Sequence, residues 1–483
     1  MSKEIREYDA VDVNNLAIEG ESADFARMIG RALNNYHKQG TLVLHNLPND
    51  LSRALVLGAW CVGWRVAILP PHLSMENQHL LLTQLAANLI VNGQAIDNFR
   101  FNHSDGCRLL SIDSIDQNSN LMQWLAVKSK SNNLDYPNYL WHKNQTTLVL
   151  FTSGSTGTPK GVCHSLLSIL ASAERFIQHF EISASDRLLN TALIHTMSGF
   201  RCSIMLPLLC GCQVNNLPID GGLVQILKVL EQDRSTLIIT GPNIIRQMSM
   251  LRSKIGDLTT TLRFILCTGA KLNVDNRIAL FETLNLKVIN YYGSTETGGL
   301  VIAESDRTYN MANQSIGKAC ADVNLKVINS EGEEHDRGHG ELRVYCDSIF
   351  LGYLGQNLQV NRYFDTGDIV DIMPEDNVRL GHRIKSGVKA TNTEWIYPET
   401  VDLWLRNHTL IADVHVSIFD DPDGRAKFKT EIVGIEPEKW QVWIANTSKK
   451  LLIDLGQHYE VITWHLVKSI ERSNLGKYQK SIY

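Results

Sequence analysis

Apolar residues recur three and four positions apart in several parts of the chain, a spacing that places them on one face of a helix. The clearest such stretches are residues 23–37, 166–180 and 222–232. Short continuous apolar runs bounded by Gly, Pro or Asn lie between the helix-like stretches, at residues 40–44, 147–151, 235–240, 264–267 and 287–290. Helices that alternate with such runs predict an α/β domain with largely buried strands.

The pattern changes after residue 310. Short strand-like runs joined by turns follow, at residues 325–328, 340–345 and 349–353. The last hundred residues return to alternating short strands and helices, and they carry many charges. We therefore predict a large N-terminal α/β domain over residues 1–381, with a β-rich subdomain at about 310–380, and a small C-terminal α+β domain over residues 382–483.

The composition narrows the class of protein. Hydrophobic residues make up 44% and charged residues 20% of the 483 positions, which is typical of a globular protein and argues against a disordered or fibrous chain. The net charge is −5. The chain has no excess of basic residues, so its charge does not indicate a polyanionic partner such as nucleic acid.

The cysteines and the longest apolar stretch indicate a cellular location. Nine cysteines are scattered along the chain, and the one close pair, Cys210 and Cys212, has the wrong spacing for a zinc knuckle or a redox site. Buried, reduced thiols are the preferred interpretation. The polar, acidic N-terminus does not resemble a signal peptide, and the apolar stretch 54–69 is interrupted by Arg65 and too short to cross a bilayer. We expect a cytoplasmic protein.

A loop with the chemistry of a phosphate site follows the run 147–151. Its sequence is TSGSTGTPKG, residues 152–161, and a helix-like stretch is expected after it. Glycines let a backbone turn and bring its N–H groups close to an anion, while hydroxyls and a lysine add further donors. The Walker pattern fails because Pro159 stands where that motif needs glycine. The candidate phosphate-binding residues are Thr152, Ser153, Gly154, Ser155, Thr156, Gly157 and Lys160.

A second segment, YYGSTET at residues 291–297, combines groups that a nucleotide and its metal ion need. An aromatic ring can stack on a base, a glycine permits close approach, a hydroxyl can bind phosphate oxygen and a carboxylate can hold Mg²⁺.

TSGSTGTPKG resembles the signature of the adenylate-forming superfamily, which holds acyl- and aryl-CoA synthetases, peptide-synthetase adenylation domains and firefly luciferase. YYGSTET looks like the second signature of the same family, and other matches follow in family order as far as residue 477. By this resemblance Tyr291, Tyr292 and Gly293 belong to the nucleotide site, with Tyr292 beside the adenine. Thr295 then meets the α-phosphate, and Glu296 carries the metal ion.

Two weaker matches concern the pocket for the nucleotide and the acid. CTGAK at residues 267–271 resembles the family's Gly-Gly-Ala segment, with Thr268 in place of the first glycine. The resemblance places Gly269 and Ala270 beside the adenine and Thr268 beside the acyl group.

LIHTMSG, residues 193–199, occupies the position of the family's Pro-x-x-His-x-x-Gly motif, with Ala192 for the proline. That segment borders the carboxylate substrate in the family, so His195, Ser198 and Gly199 are candidate substrate contacts.

The C-terminal matches supply ribose and catalytic contacts. YFDTGD, residues 363–368, resembles the Tyr-x-Thr-Gly-Asp motif, in which Asp368 accepts hydrogen bonds from the ribose hydroxyls. In Gly-His-Arg at 381–383 the family's arginine is displaced by one position, and Arg383 reaches the ribose by resemblance. RSNLGK, which ends at residue 477, resembles the element that carries the family's catalytic lysine, here Lys477.

The resemblance implies an enzyme that uses ATP and Mg²⁺. A carboxylate attacks the α-phosphorus to give an acyl-adenylate and pyrophosphate, and no general base is needed because carboxylic acids are ionised at neutral pH. The small, mobile C-terminal domain then rotates about a hinge at Lys385 and presents a thiol, from CoA or a carrier-protein phosphopantetheine. The short region before residue 152 resembles compact ligases such as the o-succinylbenzoate group.

Two departures leave the acceptor open. Relatives usually carry an acidic pair where Lys385 and Ser386 stand, and a glycine that admits the pantetheine arm where Thr393 stands. An enzyme that forms an amide on an amine is therefore an alternative. A non-catalytic acyl- or nucleotide-binding protein is a second alternative, which the presence of Glu296, Asp368 and Lys477 argues against.

Overall fold

The structure is a computed structural model of the chain. It describes residues 10–13, 21–71, 73, 75–93, 107–111, 120–129, 139–152, 159–217, 222–269, 272–310, 314–356, 363–383, 388–389, 395–396, 398–406, 410–420, 426–455 and 462–470.

The α-helices among these residues, in chain order, are α1 (Glu21–Tyr36), α2 (Asn49–Cys61), α3 (Met75–Leu85), α4 (Asn120–Lys128), α5 (Leu166–Phe180), α6 (Met197–Phe200), α7 (Leu206–Cys210), α8 (Leu223–Asp233), α9 (Pro242–Met250), α10 (Val274–Leu284), α11 (Pro398–Arg406) and α12 (Trp440–Leu455). A π-helical turn, Arg201–Met205, joins α6 to α7. Short 3₁₀ turns lie at Arg252–Lys254, Asp257–Thr259, Asp306–Thr308 and Pro437–Lys439.

The strands are β1 (Ala10–Asp12), β2 (Thr41–His45), β3 (Arg65–Leu69), β4 (Leu89–Asn92), β5 (Arg108–Ser111), β6 (Leu140–His142), β7 (Leu148–Thr152), β8 (Lys160–His164), β9 (Arg187–Asn190), β10 (Gln213–Asn216), β11 (Leu237–Thr240), β12 (Phe264–Cys267), β13 (Val288–Tyr292), β14 (Ile302–Ala303), β15 (Lys318–Ala319), β16 (Asn324–Ile328), β17 (Glu334–His335), β18 (Gly338–Tyr345), β19 (Gly352–Tyr353), β20 (Tyr363–Ile372), β21 (Val378–Arg383), β22 (Val388–Lys389), β23 (Trp395–Ile396), β24 (Asp413–Asp420), β25 (Ala426–Val433) and β26 (Ile462–Leu466).

The chain divides into two compact units. The first comprises Met1–Thr268, Leu272–Leu325 and Val344–Phe364, and the second comprises Gly269–Lys271, Lys326–Arg343 and Asp365–Tyr483. The boundary at residue 381 and the mobility of the C-terminal domain stay predictions.

Two seven-stranded sheets organise the first unit. In one, the order is β19-β8-β7-β3-β2-β4-β5, with parallel pairing from β7 to β5 and antiparallel pairing at β8 and β19. In the other, the order is β10-β9-β11-β12-β13-β14-β15, parallel as far as β13 and antiparallel beyond it. The predicted α/β class with buried strands is confirmed.

Successive residues of the central strands enter different cores, because side chains alternate across a strand. Leu42 and Leu44 of β2 pack with helix α2, whereas Val43 packs with α3 on the opposite face. Helix α5 contributes to the core of both sheets, through Ile169 on one side and Phe176 on the other. The sheets therefore enclose a helical layer that also includes the segment from α6 to α7.

Local sequence explains where the central helix of this layer begins. Ser165 caps α5 by accepting a hydrogen bond from the backbone N–H of Ser168 at 3.1 Å. The residues of α5 coincide with the predicted stretch 166–180. The predicted run 264–267 likewise forms β12 without a shift.

The second unit carries two larger sheets and the short antiparallel pair of β22 and β23. One has five strands in the order β17-β16-β18-β20-β21, in which β16 pairs antiparallel with β17 and β20 with β21. The other joins β24, β25 and β26, and α11 and α12 pack on it around a core that includes Phe428 and Trp443. This arrangement confirms the predicted β-rich and α+β texture of the C-terminal part.

Three other expectations can be compared with the structure. The predicted strand over residues 349–353 was too long, since within that run only Gly352–Tyr353 forms a strand, which pairs with β8. Eight of the nine cysteines are buried, as expected, and Cys210 is partly exposed. Within the described ranges, no helix combines the length and the apolar character needed to cross a membrane.

A buried ion pair between Arg277 and Glu304 contacts the backbone of strand β13. Arg277 of α10 donates to Glu304 at 2.9 Å, and the other carboxylate oxygen accepts from the backbone N–H of Asn290 at 2.8 Å. Burial raises the pKa of Glu304, and the neighbouring guanidinium opposes that rise.

We expect Glu304→Gln to lower the free energy of unfolding by about 3–5 kcal/mol, because the guanidinium of Arg277 stays charged and loses its carboxylate. The matched control is Asp306→Asn, which breaks the half-exposed pair of Lys287 and Asp306 and should cost no more than about 1 kcal/mol. Urea-induced unfolding followed by tryptophan fluorescence measures both. Equal losses in the two variants would contradict the assigned role of the buried pair.

Candidate active site

The two ends of the predicted phosphate loop face each other in an antiparallel hairpin. Thr152 ends β7 and Lys160 begins β8, and these two residues are direct partners in the register of the pair. The predicted strand before the loop is confirmed, but a strand also follows it, and the expected helix begins only at Leu166. Ser153, Gly154, Ser155, Thr156 and Gly157 lie outside the described residues.

Tyr353 of β19 brings two predicted site residues together. The ammonium nitrogen of Lys160 lies 5.3 Å from the centre of the Tyr353 ring. The hydroxyl of the same tyrosine donates to Glu296 Oε1 at 3.1 Å. The predicted cation of the phosphate loop and the predicted metal ligand therefore share one aromatic neighbour.

Glu296 has the chemistry that Mg²⁺ requires. Its carboxylate is half-buried and accepts one hydrogen bond, from Tyr353, on one of its two oxygens. Mg²⁺ is a hard cation that proteins usually hold with one or two carboxylates together with substrate phosphates. No group of three or more potential metal ligands occurs among the described residues. Glu296 offers one carboxylate to a metal ion that substrate phosphates would also bind.

The loop that carries Glu296 is anchored by the carbonyl oxygens of consecutive residues. The imidazole Nε2 of His164 lies 2.9 Å from the carbonyl oxygen of Thr295 and donates to it. The carbonyl of Glu296 accepts from the backbone N–H of Phe350 at 2.8 Å. The carbonyl of Thr297 accepts from the hydroxyl of Ser348 at 2.7 Å.

Two buried arginines continue this series. Arg201 Nη1 donates to the carbonyl oxygen of Gly298 at 3.0 Å, and the hydroxyl of Ser172 donates to the same oxygen. Arg175 Nη1 donates to the carbonyl oxygen of Leu300 at 3.2 Å. The carbonyls of residues 295–298 and 300 are thus held by donors at the end of β8, on α5, on the π-helical turn and near β19.

Glycines allow the close backbone contacts around this loop. A Cβ atom at Gly293 would lie 2.4 Å from the carbonyl carbon of Gly299, a distance too short for any side chain. A Cβ atom at Gly199 would lie 1.9 Å from the carbonyl oxygen of Leu193. Both glycines are therefore required by the packing of the protein's own backbone, in addition to any ligand they approach.

The two tyrosines of YYGSTET point to opposite faces of β13. Tyr291 is buried, with its ring 5.9 Å from that of Phe176. Its hydroxyl lies 3.3 Å from that of Ser198. Burial raises the pKa of Tyr291 to about 12, and the positive charge of Arg201 opposes the rise. Tyr292 is half-buried on the other face, as an aromatic ring that contacts a nucleotide must be.

The candidate acid contacts lie at the start of α6. Thr196 caps this short helix by accepting from the backbone N–H of Gly199 at 3.1 Å. His195 stands just before the cap and is partly exposed, as is Ser198. Ser198 therefore joins the predicted acid segment to Tyr291 through a contact between their hydroxyls.

Asp368 and Arg383 lie opposite each other on β20 and β21 of the second unit. Arg383 Nε donates to Asp368 Oδ1 at 2.8 Å; the side chain of the aspartate is 8% exposed and that of the arginine 64%. Thr366 Oγ1 also accepts from the backbone N–H of Asp368. The two predicted ribose contacts are thus adjacent, and the ribose role of each stays a prediction.

The other predicted site residues lie at the edge of the described ranges or outside them. Gly269 follows β12 with a positive φ of 95°, a conformation that favours glycine. Ala270, Lys385, Thr393 and Lys477 lie outside the described residues.

Sequence reasoning missed Tyr353, His164, Ser172, Arg175 and Arg201. No motif marks them, since a backbone carbonyl accepts equally well from many side chains. The one available signal was a polar residue inside an apolar helix-like stretch, as for Arg175 within 166–180.

Comparison with known proteins agrees with the family resemblance that the sequence motifs indicate. The family described as AMP-binding enzyme matches residues 21–354.

Among curated proteins, the chain is 27% identical over 291 residues to the medium-chain fatty-acid–CoA ligase of Escherichia coli, covering 58% of this chain and 50% of that relative. It is 26% identical over 282 residues to the 2-succinylbenzoate–CoA ligase of Enterococcus faecalis, covering 57% of each protein. The chain therefore spans about half the length of these two relatives.

Among solved structures, the o-succinylbenzoate CoA synthetase of Bacillus subtilis in complex with an acyl-adenylate intermediate matches with a TM-score of 0.78 and 17% identity, covering 95% of this chain and 91% of that one. An anthranilate CoA ligase in complex with anthranoyl-AMP matches with a TM-score of 0.80 and 18% identity, covering 95% and 90%. At these identities the similarity shows the fold.

His164 makes the stability of the site dependent on pH. Burial lowers the pKa of this histidine from 6.5 to about 4, and the hydrogen bond to Thr295 opposes the shift. The unfolded chain therefore binds a proton below pH 6.5 that the folded protein takes up only near pH 4, so stability is complete above pH 6.5 and falls as the pH drops.

We expect the titration of His164 to lower the free energy of unfolding by about 3 kcal/mol between pH 7 and pH 4. His164→Gln keeps an N–H donor and removes the titration, so its unfolding free energy should decline less over this interval, whereas the exposed His142→Gln should behave like the wild type. Urea unfolding at a series of pH values measures the difference. Parallel curves for wild type and His164→Gln would exclude the buried neutral imidazole.

Proposed function

The chain belongs to the AMP-binding enzyme family, and on that premise we propose that it is an ATP-dependent ligase. It joins a small carboxylic acid to AMP as an acyl-adenylate, releases pyrophosphate, and then transfers the acyl or aryl group to a thiol. The observation that carries this proposal is the convergence of Lys160 and Glu296 on Tyr353, because a cation and a metal-binding carboxylate are what a polyphosphate substrate needs at one place.

The first step is a displacement at phosphorus. An oxygen of the substrate carboxylate forms a bond to the α-phosphorus of ATP while the bond from that phosphorus to the pyrophosphate oxygen breaks. Both reactants are anions, so positive charge and fixed donors must offset their repulsion. Lys160 and Lys477 supply charge from the protein, and Thr295 supplies a hydroxyl for the α-phosphate. Glu296 would hold Mg²⁺ through a carboxylate oxygen, and the bound ion would supply further positive charge to offset the charge that develops in the reaction.

The family resemblance assigns the parts of the substrates to separate segments of the chain. Tyr292 stacks on the adenine, with Gly269 and Ala270 beside it, and Asp368 and Arg383 bind the ribose. The acid lies against His195, Ser198 and Thr268. The contact between the hydroxyls of Ser198 and Tyr291 supports the idea that the acid segment and the nucleotide segment act as one site.

We propose a thiol acceptor, either CoA or a carrier-protein phosphopantetheine. The curated relatives are named as CoA ligases, which supports this choice. Thr393, at the position of the family's glycine, favours instead an amine acceptor and an amide product. The buried cysteines are compatible with the reducing cytoplasm, where we place the reaction.

An acceptor screen tests the proposal. Acid-dependent ATP–pyrophosphate exchange, measured with a panel of carboxylic acids, establishes adenylation, and its absence with every acid favours a non-catalytic binding protein. Single-turnover transfer from the preformed adenylate to CoA, to a holo carrier protein and to amines then identifies the acceptor. Transfer to an amine and to neither thiol would replace the thioester reaction by amide formation, and Thr393→Gly is then expected to admit CoA.

The metal role of Glu296 predicts a specific dependence on Mg²⁺. Glu296→Gln keeps the shape of the side chain and removes its charge, so we expect half-saturation of the exchange reaction to shift to a higher Mg²⁺ concentration by on the order of tenfold. The exposed Glu282→Gln on α10 is the control and should leave the titration unchanged. Superimposable Mg²⁺ titrations of Glu296→Gln and wild type would show that the metal binds elsewhere.

Lys477 is expected to act on the reacting phosphate. Lys477→Ala should lower the rate of acid-dependent exchange by on the order of 10²–10³-fold, as the removal of one donor to a developing charge does. The exposed Lys468→Ala should keep the wild-type rate. Melting temperatures of both variants verify that they fold, and near-normal exchange in Lys477→Ala would exclude this lysine from adenylation.

A further inference from the structure

Arg201 is the most deeply buried cation near the candidate site. It begins the π-helical turn between α6 and α7, and 1% of its surface is exposed. Its guanidinium carbon lies 4.1 Å from the centre of the Phe176 ring, and Nη1 donates to the carbonyl oxygen of Gly298 at 3.0 Å. π-Helical turns insert one residue into a helix and occur frequently at functional sites.

The surroundings of Arg201 do not neutralise its charge. Within the part of the chain that the structure describes, no carboxylate lies within ion-pair distance of the guanidinium, and its Nε and Nη2 atoms have no oxygen or nitrogen partner. The adjacent Cys202 thiol is at most a weak acceptor. Arginine stays charged when buried, so an apolar side chain of similar length would serve stability better. A role in stability alone does not explain this residue.

The contacts of Arg201 join two predicted motifs. Ser198, three residues earlier, contacts the hydroxyl of Tyr291, so this helical segment borders the predicted acid pocket. Gly298 belongs to the loop that carries Thr295 and Glu296. Arg201 therefore links the segment on the acid side to the loop on the phosphate side through one hydrogen bond.

The loop needs this link because of its own sequence. Gly298 and Gly299 both have positive φ, 79° and 83°, and glycine has a wide choice of backbone conformations. His164 and Ser348 fix the carbonyls of Thr295 and Thr297 before the two glycines. Arg201, together with the hydroxyl of Ser172, holds the Gly298 carbonyl where two successive glycines give the backbone its widest choice of conformations.

We propose that Arg201 is a positioning residue, which holds the loop of residues 294–300 by the Gly298 carbonyl so that Glu296 keeps its place beside Tyr353. The consequence for Mg²⁺ and ATP rests on the function proposed above. The positioning itself is a property of the ligand-free protein, so it can be measured separately.

Amide hydrogen exchange tests the positioning directly. Arg201→Met has a similar length but neither charge nor N–H donors. We expect the peptide that spans residues 293–301 to exchange on the order of tenfold faster in this variant, while the peptides of β11 and β12 keep the wild-type rate. Arg263→Met is the matched control, because that arginine also lies over a ring, Phe264, but contacts Asp186 and not the loop.

Activity supplies the second readout. We expect Arg201→Met to shift half-saturation by Mg²⁺ upward by on the order of tenfold, Arg201→Lys to recover part of the shift, and Arg263→Met to show none. A residue with only a structural role would lower the amount of active protein and leave the Mg²⁺ titration in place.

The outcomes are distinct. Unchanged exchange of residues 293–301 in Arg201→Met overturns the proposal, as does an equal acceleration throughout the first unit, which indicates general destabilisation. Should Arg201→Met fail to fold, the exchange rate of the same peptide in Arg201→Gln decides. Should the wild type show no acid-dependent pyrophosphate exchange, the proposed function fails, and the hydrogen-exchange result still decides the role of Arg201.

Discussion

The hydrogen bonds to the carbonyl oxygens of residues 295–300 determine where the candidate metal ligand lies. The carbonyls of residues 295–298 and 300 accept from donors fixed elsewhere in the first unit, and three of those donors are the buried side chains of His164, Arg175 and Arg201. Since the carbonyls are bound on the protein side, the half-buried side chains of Thr295 and Glu296 are left for a ligand. Anchoring of this kind limits the reorganisation needed when charge develops, and this is the main way in which proteins stabilise such reactions.

The fold explains how so many donors reach one loop. Helix α5 and the segment from α6 to α7 lie between two sheets, and both sheets pack on them. The hairpin of β7 and β8 ends at His164, immediately before α5, so one short stretch of chain supplies the candidate phosphate loop and three anchors of the candidate metal loop. The two motifs are therefore mechanically connected although more than a hundred residues separate them in sequence.

The sequence was sufficient for the parts of this arrangement that depend on local pattern. Helix α5 has a clear period and a serine cap, and YYGSTET indicates its chemistry through an aromatic ring, a glycine, hydroxyls and a carboxylate in one short segment. The anchors are different, because a carbonyl acceptor belongs to every residue and the donor comes from a distant element. Strand β8 was missed for a related reason, since five residues are too few to distinguish a strand from the start of a helix. Tyr353 was within a predicted strand, but only the pairing of β19 with β8 brings it to Lys160.

The position of the metal ion tests this account most directly. Crystals grown with ATP and Mn²⁺ in place of Mg²⁺ would locate the ion by its anomalous scattering. We expect a single strong peak roughly 2.0–2.2 Å from a carboxylate oxygen of Glu296, with phosphate oxygens as further ligands and the loop of residues 294–300 unchanged in its carbonyl contacts. A peak coordinated by other residues, with Glu296 still bound only to Tyr353, would contradict the claim that this anchored loop forms the metal site.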